Sequence, residues 1–234
     1  MTMYKLMLFL LPALLLIGCA KPFVEVSPDY SAATPQQAIL AGATAGFDSG
    51  NEDEGVAIMD TVMNAHLPEF GDRMMERMLP FLAEQGFELT TDHDRVSTAE
   101  QETLEKVEKL TSIAAGAWVC PDGSMIIVNN SALFRKNSYK IILERAAPTQ
   151  PGEHFVFIDA RAYPMKKWFV VGFTRMVLDI IVIDHTGNEL YAARGVGDGP
   201  NSAFVSLHHV EALTEALDKA LATIQEQEPQ VVTP

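Results

Sequence analysis

The spacing of hydrophobic positions changes along the chain. It divides the chain into a leading apolar run, a helical first half and a strand-rich second half. "TPQQAILAGATAG" predicts a short helix over 34–46: Thr34 caps, Pro35 suits the first helical position, Gln37 completes a T-x-x-Q box and Gly46 stops it. "NEDEGVAIMDTVMNAHL" predicts a second, with Asn51 as cap and Glu52, Asp53 and Glu54 where the helix dipole favours anions. Val56, Met59 and Met63 form its stripe, and Pro68 ends it. "EFGDRMMERMLPFLAEQG" places Phe70, Met74, Met78 and Phe81 at helical spacing before Gly86, with Pro80 inside as a predicted kink or split. "STAEQETLEKVEKL" carries a capping box, Ser97 with Glu100, and an apolar face of Leu104, Val107 and Leu110.

From Phe87 the period of two takes over. "FELTT" is a short strand, and "SIAAGAWVC" and "SMIIVNN" form a hairpin about Pro121-Asp122-Gly123. "YKIILE", "EHFVFIDARAY" and the long run from Trp168 to Gly195 are rich in β-branched and aromatic residues. Between Trp168 and Ile183 both alternating sets are apolar, which predicts burial on both faces. Arg175 and Asp179 inside the run argue against a membrane span. Gly172 marks a bulge or break, and "DHTGN" closes a hairpin. "SLHHVEALTEALDKALATI" predicts a closing helix with Leu207, Val210, Leu213, Leu217, Leu221 and Ile224 on one stripe. The order predicts one α+β domain over 34–225, an antiparallel-rich sheet with helices packed on one face. The polar residues 226–234 are expected to be a disordered tail, and 19–33 a tether spanning at most roughly 50 Å.

The leading run is apolar from Leu6 to Ile17, follows Lys5 and ends at Gly18-Cys19. That is the length of a signal-peptide core and too short for the roughly 20 residues of a membrane-spanning helix. Leu16-Ile17-Gly18-Cys19 resembles the lipobox of bacterial lipoproteins. The resemblance implies removal of residues 1–18 by cleavage between Gly18 and Cys19. It also implies diacylglycerol on the Cys19 sulfur and a fatty acyl chain, such as palmitate, on its amine. Three chains exceed the two that stable anchoring requires. Ala20, where an Asp would signal inner-membrane retention, is similar to the residue found in cargo for the outer membrane.

Loss of residues 1–18 removes one base, Lys5, and no acid, leaving 16 Lys and Arg against 31 Asp and Glu, a net charge of −15. Phosphate backbones and anionic headgroups repel such a surface. Nucleic acid is therefore an unsuitable partner, attachment to the membrane falls to the acyl chains, and a basic protein surface or cationic ligand is left open by the charge. With Cys19 modified, Cys120 has no disulfide partner in the chain, so the fold depends on its core.

No cofactor motif or zinc spacing is discernible. Cys120 lacks a local helix start or cation to activate its thiol and reads as structural. His93 lies between Asp92 and Asp94 in a loop. His208 and His209 are neighbours on a helix, pointing about 100° apart, and His154 and His185 flank strands. "GVGDGPNS", residues 195–202, reads as a flexible strand-to-helix connection. Its alternate glycines Gly195, Gly197 and Gly199 also make it a candidate ligand contact, with backbone N–H groups for an anion, although Asp198 opposes one. Met59, Met63, Met74, Met75 and Met78 form a stripe that suits either a core or a pliable docking surface.

The order helix, "GFELTT", helix, "AAGAWV", long hairpin with Asp184-x-Thr186-Gly187 and closing helix is similar to periplasmic TolB-amino-terminal-like domains. Those occur in lipoproteins of the curli-secretion and penicillin-binding-protein-activator type. The resemblance implies a non-catalytic adaptor in envelope assembly. The expectation is a lipid-anchored accessory factor of the cell envelope, on the periplasmic side of the outer membrane, acting through a protein partner. The rival is an enzyme or binding protein using Cys120 thiol chemistry or the 195–202 glycines.

Overall fold

The computed structural model describes residues 21–47, 67–90, 116–119, 125–128, 152, 154–168, 171–185, 188–203 and 210–232. They form an α+β unit built on one mixed sheet. The elements run β1 (Phe23–Val26), β2 (Gln36–Phe47), α1 (Leu67–Glu84), β3 (Phe87–Thr90), β4 (Gly116–Val119), β5 (Met125–Val128) and β6 (His154–Trp168). They continue with β7 (Val171–Asp184), β8 (Glu189–Asp198), β9 (Ser202–Ala203), α2 (Val210–Gln225) and β10 (Gln230–Val231). The strand order is β10-β1-β8-β7-β6-β2-β5-β4, with β3 also on β2 and β9 on β7.

The sheet is mixed rather than antiparallel-rich. β6, β7, β8 and β1 are successively antiparallel, but β2 is parallel to β3, β5 and β6. The difference traces to residues 36–47, which form a strand in place of the predicted helix. Gly42 and Gly46 each cost a helix about 1 kcal/mol relative to Ala. Ala38, Ile39, Leu40, Ala43 and Ala45 are all buried, the near-continuous apolar run of a strand enclosed on both faces. A capping box supplies local preference only, and tertiary burial outweighs it.

Both described helices join one core with the same side of the sheet. Val156, Ile158 and Ala160 of β6, Met176, Leu178 and Ile180 of β7, and Tyr191 and Ala193 of β8 meet Phe70, Met74, Met78 and Leu82 of α1. Leu213, Ala216, Leu217 and Ala220 of α2 complete the cluster. α1 runs through Pro80 as one helix and carries Pro68 in its first turn. It stops at Gly86, whose φ of +81° favours glycine. A Cβ there would also stand 2.9 Å from the Ala32 carbonyl oxygen. β3 and the β4–β5 hairpin fall where the sequence predicts them. The long hairpin does too, with the Asn188 N–H donating to Asp184 Oδ1 at its turn. The irregularity in β6–β7 pairing lies between Lys166 and Trp168, opposite Gly172 and Val171. The stretch "YKIILE" and the predicted helices over 51–67 and 97–110 lie outside the described residues, save Leu67, which starts α1.

Two predicted extensions belong to the sheet instead. Residues 23–26 of the expected tether form β1, antiparallel to β8, with Phe23 opposite Arg194 and Val26 opposite Tyr191. Val24 and Val26 alternate into the core, and two buried valines suffice to draw a short segment into a ladder. The expected disordered tail returns as β10, parallel to β1, with Gln230 opposite Glu25 and Val231 opposite Val26.

One core group is at odds with its surroundings. The Tyr191 hydroxyl is buried and has no hydrogen-bond partner among the described residues, whereas Tyr30 beside it donates to the Gln85 carbonyl at 2.9 Å. Burial, with Tyr30 adding to it, holds the Tyr191 phenol well above the ordinary tyrosine range. A buried unmet hydroxyl costs about 1–3 kcal/mol. Tyr191→Phe keeps the ring against Phe87 and is expected to raise the thermal midpoint, by the equivalent of about 1 kcal/mol, in calorimetry. An unchanged or lower midpoint contradicts this.

Candidate functional site

A row of charges crosses the sheet face opposite the helices. Asp159 of β6 pairs with Asp179 of β7, Asp179 with Arg194 of β8, and Arg194 with Phe23 of β1. Successive residues of a strand point to opposite faces, so Arg161, two beyond Asp159, joins the same side. Two carboxylates directly opposite each other repel. Arg161 resolves this, donating from Nη2 to Asp179 Oδ2 and holding Nε 3.1 Å from Asp159 Oδ2. That Nε lies within ion-pair range but makes no aligned hydrogen bond among the described residues. Arg194 takes Asp179 in a two-pronged grip, at 2.5 Å from Nε and 2.8 Å from Nη2. Its guanidinium carbon also lies 5.6 Å from the centre of the Phe23 ring.

The network is half-buried: the side chains of Arg161 and Asp179 are 16% and 15% exposed, and that of Arg194 is 33% exposed. Burial acts to lower the Arg161 guanidinium, but the Asp159 and Asp179 carboxylates outweigh it and hold it above its ordinary value. Arg194 is raised too, first by its hydrogen bond to Asp179. Both cations therefore persist at every pH a folded protein meets, and neither is a proton donor. The next row on this face, Glu25, Ala192, Ile181 and Phe157, follows from the same register. Together the rows line a cleft of about 250 Å³. A second cleft of about 370 Å³ shares Glu25, Glu189 and Ala192 with it and adds Asp29 and Asp184, so among the described residues four carboxylates and no base line it.

The glycines pack against α2. Gly195 and Gly197 lie in β8, Gly199 follows it, and all three face α2. A Cβ on Gly195 would stand 2.1 Å from the Ala220 carbonyl oxygen, one on Gly197 2.0 Å from that of Ala216, and one on Gly199 2.9 Å from that of Ala212. Glycines two apart on a strand meet alanines four apart on a helix, which lets the two backbones touch. Met74, Met75 and Met78 are buried core residues. Gly18, Cys19, Met59, Met63, His93, Cys120, His208 and His209 lie outside the described residues. His154 opens β6 with Nδ1 3.3 Å from the Gln37 carbonyl, and His185 follows β7 at the hairpin turn. Among the described residues no three His, Cys, Asp or Glu gather as metal ligands, and no helix is long and apolar enough to cross a membrane.

The charged row is absent from the sequence expectations, although its signal is present. Asp159-x-Arg161 within "FIDAR" must fall on one face of a strand, and Asp179 and Arg194 interrupt apolar runs that pair with it. The missing information is register, which only pairing supplies. No protein-family model, curated protein or solved structure matches the chain.

Proposed function

We propose that this protein is a lipid-anchored lipoprotein of the bacterial cell envelope, held through Cys19 at the periplasmic side of the outer membrane. It acts there as a non-catalytic accessory or assembly factor through contact with another envelope protein. The observation that carries this reading is the sequence Leu16-Ile17-Gly18-Cys19 at the end of a short apolar run. A charge of −15 and the carboxylate-lined cleft at Glu25, Asp29, Asp184 and Glu189 support a basic partner surface. The charged row supports recognition over proton transfer, because each of its cations is spent on a carboxylate.

Cys19→Ala is expected to move the protein from the membrane fraction to the soluble fraction, and to abolish partner capture in a crosslinked pulldown from membranes. Retention of the variant in membranes refutes the anchor. A wild-type pulldown without any partner refutes the accessory role.

A further inference from the structure

We infer that the outer edge of β1 is the docking edge for the partner protein. An extended, basic segment of that partner adds to the sheet there as a strand, displacing β10, which is the chain's own cover of the edge. The inference rests on the accessory role proposed above and deepens it by naming the surface and the partner's chemistry.

Backbone direction defines the edge. The Ser27 N–H donates to the Leu190 carbonyl, so Ser27 turns its main chain toward β8. Successive residues beside an antiparallel partner turn alternately toward it and away. Val26 therefore turns outward, and its carbonyl accepts the Val232 N–H at 2.9 Å. β10 covers this edge with two residues in parallel register, Gln230 beside Glu25 and Val231 beside Val26. Both are exposed. Val231 and Val232, at 66% and 47%, are the two most exposed large apolar side chains among the described residues. Main-chain hydrogen bonds, rather than side-chain burial, hold the cover. It can leave without α2, whose last buried residue is Ile224 and whose end is closed by the Gln227 N–H donating to the Ile224 carbonyl. A strand edge covered so lightly is a template for a strand from another chain.

Charge selects the occupant. Gln230 shares a face with Glu25. Val232, two residues on, returns to that face and lines the cleft with Glu25, Asp29, Asp184 and Glu189. Lysine or arginine at those two alternate positions would meet carboxylates where the chain itself places glutamine and valine. A second copy of this acidic chain brings the same carboxylates and is repelled.

The test uses full-length protein in detergent and a fluorescent hexapeptide of alternating lysine and valine, with fluorescence anisotropy as the readout. Val232→Pro removes the N–H that the cover gives to Val26. The peptide should bind this variant about tenfold or more tightly than the wild type, because a tethered strand no longer competes. An N-methylated copy, equal in charge but without main-chain donors, should bind far more weakly, and a glutamate–valine hexapeptide should not bind. Hydrogen exchange on the same samples should show the peptide slowing the Val24 and Val26 amides and leaving α2 unchanged. Equal affinity for wild type and Val232→Pro overturns β10 as the cover. Equal binding of the N-methylated copy overturns strand addition, and equal binding of the glutamate peptide overturns the choice of a basic partner. No binding to either protein, or protection elsewhere than in β1, overturns the edge as the site. The assay contains no native partner, so its failure leaves the accessory role to be decided by the membrane pulldown.

Discussion

Gly197→Ala is expected to destabilise the domain by about 3 kcal/mol or more, at the upper end of what overpacking costs. The added methyl would lie 2.0 Å from the Ala216 carbonyl oxygen and 2.5 Å from the Ala220 nitrogen, both main-chain atoms of α2. A flexible side chain can swing aside from such a contact, whereas helix backbone must move as a body. Moving α2 away from β8 opens voids around Leu213, Leu217 and Ala220, which are fully buried. It also loosens the Val196 N–H bond to Thr223 Oγ1, 2.9 Å long, which serves β8 beyond the end of β1. The three glycines predict a gradient. Gly195→Ala should cost nearly as much, since its methyl would be 2.1 Å from the Ala220 oxygen. Gly199→Ala should cost less, at 2.9 Å from the Ala212 oxygen. Urea unfolding followed by circular dichroism measures all three. Equal, small effects below about 1 kcal/mol across the series would refute backbone contact between β8 and α2.

The same glycines show how much of the fold and site was legible in the sequence. Their spacing was visible, and so was the apolar stripe of α2. That the two meet was not, because alternate glycines suit an anion cradle, a flexible connection and a close strand–helix contact equally well until the partner is known. Elements with strong internal periodicity were legible: α1, α2 and the β7–β8 hairpin carry their own pattern of burial. Residues 36–47 were not, because Ala and Gly declare no face and the capping box outvoted them. β1 and β10 were invisible for another reason. Four and two residues hold too little pattern to exceed the Pro-rich and polar context around them, and only the waiting edge of β8, then of β1, selects them. The charged row sits between these cases. Its residues stand out singly as charges in apolar strands, but their convergence depends on register across four strands, a property that no single segment contains.

Replacing Asp179 by Ala is expected to cost about 3 kcal/mol, because it takes the carboxylate from Arg194 and leaves Arg161 with Asp159 alone. Removing one partner of a buried pair typically costs about 3–5 kcal/mol. The 33% exposure of the Arg194 side chain lets water recover part of that, which places the expectation at the lower end. Asp159 does not substitute for Asp179. It stands opposite across the strand pair and already faces Arg161, so among the described residues Arg194 would be left with Phe23. The loss should be unequal along the sheet. Amide exchange should quicken most at Phe23–Val26, the strand whose first residue Arg194 secures. The β6–β7 pairing, in which Val156, Ile158 and Ala160 and their neighbours Met176, Leu178 and Ile180 are buried, should hold. The pH dependence carries a sign. Arg161 and Arg194 have guanidinium values raised in the folded state, so their contribution is complete below the ordinary arginine value and fades only as pH rises through the folded one. Between pH 6 and pH 10 the penalty contributed by the two cations should therefore stay flat. A double-mutant cycle of Asp179→Ala with Arg194→Met isolates the pair, and a coupling of about 1–3 kcal/mol is expected. Coupling near zero, or exchange at Phe23–Val26 no faster than in the wild type, would reduce the charged row to a decoration of the sheet and free β1 from it.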